Sequence, residues 1–285
     1  MIYIVIPSLN ELSFIKRLLN DFKNQTYTSF QIIISDNGST DGTKDYIKKK
    51  HPQVKLIENN LSFWWTKSTN AGVKYALAKS NSSKDFILTL NNDLTIDNDY
   101  LESLITCHNL NKYSIIGSLN VDKNSEKIVF GGVKINHFTA KENRINYGKI
   151  FSKQRKYDNI ESDVLPGRGT LVPIQVFKEI GLYDESLPHY HADYEFSIRA
   201  KNNNFNLLVC YQSPVFFYRN NSSAYSGVNK ITFKQFFRSL FILKSPNNLF
   251  IRGKFIFKTV PFQYLFFYLF FDFARTIYRA FTKIF

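Results

Sequence analysis

Short apolar runs alternate with helix-like stretches through about the first 120 residues of this chain. The runs lie at residues 2–6, 31–35, 54–57, 86–90 and 114–117. After the first of them, Ile15, Leu18, Leu19 and Phe22 recur at helical spacing. Strands that alternate with helices predict an α/β fold with a doubly wound, mainly parallel sheet and right-handed crossovers.

Two of these runs are followed directly by loops rich in aspartate and asparagine. Residues 35–42 read Ser-Asp-Asn-Gly-Ser-Thr-Asp-Gly after an isoleucine run, and Asn91, Asn92 and Asp93 follow another run. Ligands bind beyond the carboxyl ends of parallel strands, so we expect Asp36 and Asp93 to face one pocket. Turn and cap formation is the alternative role for both residues.

The second half of the chain reads differently. Residues 121–164 contain polar, hairpin-like pieces, and the glycine-containing stretch 166–173 precedes a helical pattern. A further helix is predicted to begin near Ala192, with Asp193 and Glu195 in its first turn, where the helix dipole favours negative charge. A last strand is predicted at 206–211.

The positive charge is concentrated in the C-terminal part. The chain of 285 residues is 44% hydrophobic, which is enough for a large core plus an appendage, and its formal net charge is +14. Residues 230–285 hold ten lysines or arginines, eighteen phenylalanines or tyrosines and one acid, Asp272. We expect residues 229–285 to form a helical, basic-aromatic extension that lies on an anionic membrane surface. A helical subdomain packed on the rest of the chain or on a second subunit is the alternative.

The sequence gives further expectations about location. The apolar run at 262–271 is shorter than the roughly 20 residues of a spanning helix. Cys107 and Cys210 are too few and too far apart for a disulfide framework or a zinc site. No charged and apolar leader precedes the first strand. We therefore expect a cytoplasmic protein, peripheral on the inner face of the cell membrane.

Four motifs together resemble the family 2 nucleotide-sugar glycosyltransferases, including rhamnosyltransferase-like members. They lie in the order and at the spacing of that family, over roughly residues 1–225, at 4–11, 35–43, 90–93 and 191–195. The resemblance implies a glycosyltransferase A-type fold and sugar transfer with inversion at the anomeric carbon. It also implies a divalent cation, Mg²⁺ or Mn²⁺, and a division into a catalytic domain at 1–228 and the C-terminal segment at 229–285. Within the domain, residues 1–118 would bind the nucleotide sugar and residues 119–228 the acceptor.

The donor side of the predicted site follows from these motifs. The residues implied are Pro7, Asn10, Glu11, Asp36, Asn70, Gly72, Asn91, Asn92 and Asp93. Asp36 would accept a hydrogen bond from a ring N–H of a pyrimidine, and Asp93 would hold the cation that bridges the diphosphate. The sequence departs from the family pattern, since Asn91 replaces the first acid of Asp-x-Asp and no histidine accompanies Tyr218. We therefore expect weaker metal binding than is usual in the family.

The acceptor side includes the predicted catalytic base. Asp193 would take the proton of the acceptor hydroxyl, a role typically worth roughly 10²–10⁴-fold in rate, and Glu195 is the fallback base. The other acceptor-side residues implied are Gly167, Arg168, Gly169 and His191. The flat indoles of Trp64 and Trp65 suggest a deoxysugar donor such as rhamnose, and core packing explains them equally well.

The predicted function is transfer of a sugar to a saccharide, in particular a lipid-linked saccharide, in assembly of a bacterial surface polysaccharide. A sugar-nucleotide nucleotidyltransferase is one alternative, although no glycine-rich, basic phosphate loop follows Ile6. A basic nucleic-acid-binding module is another, but the charge is interleaved with phenylalanine and matches no reading motif. We therefore expect a nucleotide sugar, a saccharide and an anionic membrane as partners, and no nucleic acid. The sequence does not predict the oligomeric state.

Overall fold

The alternating pattern of the first half folds as βα units in the computed structural model, which describes residues 1–152, 159–218 and 232–284. The elements of this half are β1 (Ile2–Ser8), α1 (Leu12–Lys23), β2 (Phe30–Asp36), α2 (Thr43–Lys50), β3 (Lys55–Glu58), α3 (Trp65–Lys79), β4 (Phe86–Thr89), β5 (Leu94–Ile96), α4 (Tyr100–Leu110) and β6 (Ser114–Asp122). Strands β1 to β4 agree closely with the predicted runs, whereas β5 was not predicted and β6 continues past the predicted end at residue 117.

The second half adds short strands and further helices. These elements are β7 (Ile128–Phe130), β8 (Val133–Asn136), β9 (Lys141–Arg144), β10 (Ile160–Glu161), β11 (Thr170–Pro173), α5 (Ile174–Ile180), α6 (Ala192–Asn202), β12 (Asn206–Phe217), α7 (Phe233–Ser239), α8 (Leu249–Thr259) and α9 (Leu265–Ile284). The proposed domain boundary between residues 228 and 229 lies outside the described residues, and that division stays a prediction.

One mixed sheet organises the molecule, with strand order β10-β12-β6-β11-β4-β1-β2-β3. The neighbours β1/β2, β1/β4, β2/β3 and β6/β12 are parallel. Strand β11 is antiparallel to both β4 and β6, and it joins the two parallel groups. The predicted α/β fold with a mainly parallel sheet is therefore confirmed.

Helices cover both faces of the sheet, as a doubly wound fold requires. Alternate residues of β1 separate the two cores: Ile2, Ile4 and Ile6 face α1, α2 and α4, whereas Tyr3 and Val5 face α3, α5 and α6. This division follows from the period of two along a strand. The carboxyl ends of β1, β2 and β4 consequently open at one edge.

Helix α3 approaches β1 closely because it carries glycine at position 72. A Cβ atom at Gly72 would lie 2.4 Å from Cγ1 of Val5, which is too close for any side chain. Asn70, two residues earlier, is buried and fixed from the opposite side by the backbone of Tyr183, which its amide bonds at 2.9 and 3.1 Å. The start of α3 is thereby fixed beside the strand ends.

The C-terminal helices pack on the rest of the chain. Ile251, Phe255 and Ile256 of α8 share a buried cluster with Ala192 and Ile198 of α6. At the surface, Lys258 forms an ion pair with Asp184 at 2.7 Å. The helical extension is therefore present, and it is docked on the sheet domain. Within the described ranges, no helix combines the length and the apolar character needed to span a bilayer.

Candidate active site

The loops after β1 and β2 are joined by backbone hydrogen bonds to side chains. Asn10 N donates to Ser39 Oγ at 2.8 Å, and Thr40 N donates to Asn10 Oδ1 at 2.7 Å. Asn10 has φ 54°, a left-handed conformation that asparagine tolerates better than most residues. These bonds hold the two loops together at the ends of β1 and β2.

Asp36 occupies the buried end of β2 and binds its own turn. Its Oδ2 accepts from Gly38 N at 3.1 Å and from Ser39 N at 2.9 Å, and Ser39 Oγ bonds Oδ1. This is the turn-capping arrangement that the sequence left open. Its role in base recognition stays a prediction.

The loop after β4 presents the acid predicted to hold a cation. Arg17 donates to the backbone oxygen of Asp93 at 3.3 Å, while Oδ1 of Asp93 is buried with no hydrogen-bond partner in the described part of the chain. Asn92 is anchored by donation to Ser8 Oγ at 3.2 Å. The loop therefore holds one carboxylate oxygen that is dry and uncommitted.

Glu11, at the start of α1, faces the same loop. Burial raises the pKa of its carboxyl group, a hydrogen bond with Asn92 opposes that rise, and the negative charges of Asp93 and Asp41 add to it. Glu11, Asn92 and Asp93 therefore surround one acidic region at the ends of β1 and β4. Their donor-binding role, and the predicted convergence of Asp36 with Asp93, stay predictions.

Trp65 connects this region to the acceptor side. Its Nε1 donates to Asn91 Oδ1 at 3.2 Å, and its ring lies so close to Gly167 that a Cβ there would meet Cζ2 at 2.2 Å. Gly167 N in turn donates to Asp193 Oδ2 at 3.0 Å. The loop of Asp93 and the carboxylate of Asp193 are thus joined through one indole and one peptide.

The predicted base lies at the first turn of α6, as expected. Asp193 Oδ2 accepts from Gly167 N, and Oδ1 accepts from Tyr194 N at 2.9 Å. Burial raises the pKa of this carboxyl group, against the lowering effect of those bonds and of the positive charge of Arg168. A carboxylate whose charge is poorly solvated is a stronger base than an exposed one.

The neighbouring acid, Glu195, is committed elsewhere. It is buried and forms a two-point ion pair with Arg199, at 2.8 and 2.9 Å. Arg199 also donates to the carbonyl oxygens of Ile180 and Leu182. Glu195 therefore fixes α6 against the end of α5, and this favours Asp193 as the base.

The other acceptor-side residues form the wall below Asp193. Gly169 has φ 87°, and a Cβ there would meet Ser118 Oγ at 2.6 Å, so only glycine fits. The guanidinium of Arg168 lies 4.2 Å from the centroid of the Phe217 ring. The backbone of residues 167–169 is therefore closely packed next to Asp193, and the guanidinium of Arg168 lies on the Phe217 ring.

The two histidines near the base are buried and uncharged. Burial lowers the pKa of His189 and of His191 to about 4 in each case. The ring of His191 stacks on Phe255 of α8 with centroids 4.8 Å apart. His191 therefore contacts the C-terminal helices, and its predicted contact with an acceptor stays untested.

Asn70 and Gly72 have structural contacts that the sequence did not indicate. Asn70 Nδ2 also donates to Glu185 Oε1 at 3.1 Å, so its amide is fully occupied within the fold. Pro7 pairs in register with Ser35 at the edge where β1 and β2 end. The donor-binding roles of Pro7, Asn70 and Gly72 remain predictions.

The residues present fit a cation that is shared with a substrate. In the described ranges, no three His, Cys, Asp or Glu side chains are grouped to enclose a metal. Asp93 offers its uncommitted oxygen, whereas Asn91 Oδ1 is occupied by Trp65. Magnesium is commonly held by one or two carboxylates together with substrate phosphates, which is the arrangement this site allows.

Solved structures with the same architecture are glycosyltransferases of the A-type fold. GalNAc-T7, crystallised with UDP, GalNAc and Mn²⁺, superposes with a TM-score of 0.62 and 17% identity, over 78% of this chain and 44% of that one. S. aureus TarS in complex with UDP gives a TM-score of 0.53 and 16% identity, over 90% of this chain and 70% of that one. These similarities show the fold.

The family model for glycosyl transferase family 2 matches residues 3–181, and the chain belongs to this family. A low-salt glycan biosynthesis hexosyltransferase of Haloferax volcanii is 25% identical over 183 residues, which are 63% of this chain and 56% of that protein. A succinoglycan biosynthesis protein of Rhizobium meliloti is 26% identical over 222 residues, 75% of this chain and 62% of that protein. The chain thus spans less than two thirds of either relative.

Proposed function

We propose that this chain transfers a sugar from a nucleoside-diphosphate donor to a hydroxyl of a saccharide, with inversion at the anomeric carbon. The observation that supports the proposal is the connection Asn91–Trp65–Gly167–Asp193, which links the carboxylate proposed as the base to the loop that holds Asp93. Family membership and the glycan and succinoglycan synthesis named for two relatives support it. The product we propose is a bacterial surface polysaccharide.

Asp193 takes the proton from the acceptor oxygen as that oxygen attacks the anomeric carbon. The hydrogen bonds from Gly167 and Tyr194 orient the carboxylate, and burial raises its pKa and hence its basicity. The attacking oxygen forms the new glycosidic bond, and the bond to the diphosphate oxygen breaks with its electron pair remaining on the diphosphate. Attack on the face opposite the leaving group gives inversion.

Asp93 would hold the divalent cation of the donor, with Asn91 already committed to Trp65. Such a cation, Mg²⁺ or Mn²⁺, supplies Lewis-acid stabilisation of the leaving diphosphate. Asp36, Asn10 and Pro7 lie at the adjoining strand ends and would contact the nucleoside.

A donor screen tests this function. The purified chain is incubated with UDP-, dTDP- and GDP-sugars, dTDP-rhamnose included, and with saccharide acceptors, with and without MnCl₂. We expect nucleoside diphosphate release that depends on the acceptor for at least one donor. NMR of the product should show the anomeric configuration opposite to that of the donor. Absence of transfer with every donor, or retention of configuration, would contradict the proposal.

We also propose that the C-terminal helices lie on an anionic membrane, where a lipid-linked acceptor would be found. The outward face of α9 is aromatic: Phe266, Phe270 and Phe273 are 76%, 61% and 59% exposed and share one helical stripe. Two polar residues of α9, Asp272 and Thr276, are buried on its inner face, where Asp272 pairs with Arg252. The surface aromatic residues are interleaved with exposed lysines and arginines, which suits anionic lipid headgroups.

A further inference from the structure

The turn between α7 and α8 brings a lysine from the C-terminal segment to Trp64, the residue that precedes α3. Lys244 Nζ lies 5.8 Å from the centroid of the Trp64 ring. Burial raises the pKa of Glu11, and the charge of Lys244 acts against that rise. The same charge adds to the lowering, by burial, of the pKa of His189. The ammonium group therefore faces the Trp64 ring, which also meets the ring of His189 with centroids 5.7 Å apart.

The backbone around this lysine is held in place. Ser245 N donates to Ile242 O at 3.1 Å, and Leu249 N donates to Leu240 O at 2.9 Å, which closes the turn. The ring of His191, two residues before the predicted base, stacks on Phe255 of α8, the helix that follows this turn. The turn is therefore held by a helix that packs on the α6 side of the site.

Lys244 is exposed and makes no hydrogen bond or ion pair with the residues that the structure describes. Lys258, on the same segment, differs in this respect because it forms an ion pair with Asp184 at 2.7 Å. A lysine that is positioned by its turn and by an aromatic ring, but that forms no ion pair, is available to an anionic ligand.

The chemistry of the cleft indicates which anion. A nucleoside diphosphate gains negative charge as the sugar leaves, and the loop of Asp93 has an asparagine, Asn91, in place of a second acid. A cation bound there with fewer carboxylate ligands is held less strongly, so a protein cation is needed to neutralise the diphosphate. Lysine binds phosphate as a point charge.

We propose that Lys244 binds the diphosphate of the donor and of the leaving group, so that the C-terminal segment completes the donor site. The proposal rests on the proposed function, since it requires a nucleoside-diphosphate donor. The competing interpretation is that Lys244 only offsets the charge of Glu11 and has no contact with a ligand. Charge compensation would affect stability and not the phosphate contribution to binding.

Isothermal titration of the full chain in MnCl₂ separates the two interpretations. The probe is whichever of UDP, dTDP and GDP binds wild type most tightly, and its parent nucleoside is followed by saturation-transfer NMR. Lys244→Ala should weaken the diphosphate by about tenfold or more and leave the nucleoside unchanged. Lys244→Arg should retain most of the affinity. Lys254→Ala, an exposed lysine of α8, is the matched control and should bind as wild type does.

Three results would decide against the proposal. If the Lys244→Ala variant binds the nucleoside diphosphate as tightly as wild type does, the lysine has no contact with the diphosphate. Equal loss of diphosphate and nucleoside binding, or a lowered thermal midpoint, shows a structural role. If wild type binds none of the three nucleotides, the proposed function itself fails, and this outcome is distinct from the other two.

Discussion

Three aspartates of this chain share one residue type and differ in environment. Asp36 is bound by its own turn, Asp93 keeps a buried oxygen uncommitted, and Asp193 is a buried carboxylate with a raised pKa. Both oxygens of Asp36 and both oxygens of Asp193 accept hydrogen bonds, whereas Oδ1 of Asp93 accepts none from the described residues. The division of roles between cation binding and proton transfer follows from these surroundings.

The raised pKa of Asp193 predicts that activity is lost at a higher pH, on the acid side, than an ordinary aspartate base would allow. The base must be ionised to accept a proton, so activity is present above its folded-state pKa and falls as pH is lowered through that value. Because burial raises the pKa, the fall should begin at a higher pH than for an ordinary aspartate, whose pKa is about 3.9. Measurement of kcat/KM against pH checks this. A limb at the ordinary value would show that Asp193 is well solvated or is not the base.

The sequence indicated the site residues that follow strand ends and motifs, because strand direction alone places them at one edge. It did not indicate the connection through Trp65, which depends on how α3 packs against the loop of Gly167. The pairing of Glu195 with Arg199 had a visible signal in its i,i+4 spacing. No sequence signal indicated the position of Lys244, because that position depends on how the C-terminal helices pack on α6, which is distant in sequence.

At the scale of elements, the parallel strands were predictable because they are continuous apolar runs. Strand β11 was missed, since its four residues follow a glycine-containing turn and end at Pro173. Strand β12 was predicted to stop at 211 but continues to 217. Its pairing with β6 shifts register between Cys210 and Pro214, and this irregularity accommodates the proline.

Two glycines within helices give a matched test of close packing. Gly72→Ala should lower the free energy of unfolding by about 1–3 kcal/mol, because the new methyl group would overlap the Val5 side chain. Gly253→Ala in α8 meets nothing within 4 Å and should raise it by up to about 1 kcal/mol through helix propensity. Urea unfolding of both variants measures the difference. Equal effects would contradict the packing of α3 on β1.

At the scale of the whole molecule, the C-terminal helices have two faces with separate uses. The inner face packs on α6 through Phe255 and its neighbours, and it positions the turn that carries Lys244. The outer face exposes the aromatic stripe of α9. The sequence left membrane association and packing on the rest of the chain as alternatives. The structure shows that the inner face packs on α6. Membrane association stays a proposal for the exposed outer face of α9.

Vesicle flotation tests that proposal. The full chain should bind vesicles that contain anionic lipid more tightly than neutral vesicles, and less so at high salt. Phe266→Ser combined with Phe270→Ser should weaken binding by about tenfold or more, since two large apolar side chains no longer enter the bilayer surface. Leu110→Ser, at a 77% exposed position outside these helices, is the control. If the double variant binds vesicles as tightly as wild type, membrane docking is contradicted. It is also contradicted if wild type is a dimer and the double variant is a monomer, since the stripe then forms a protein interface.

The most direct test of the account compares sugar transfer by wild type, Asp193→Asn and Glu195→Gln with one donor and acceptor. Asp193→Asn should lower kcat by roughly 10²–10⁴-fold, the typical value of general-base assistance, and should leave nucleoside diphosphate affinity unchanged. Glu195→Gln should keep kcat within a few-fold of wild type and reduce thermal stability, because it weakens the pair with Arg199. Full activity of Asp193→Asn would show that this carboxylate is not the base.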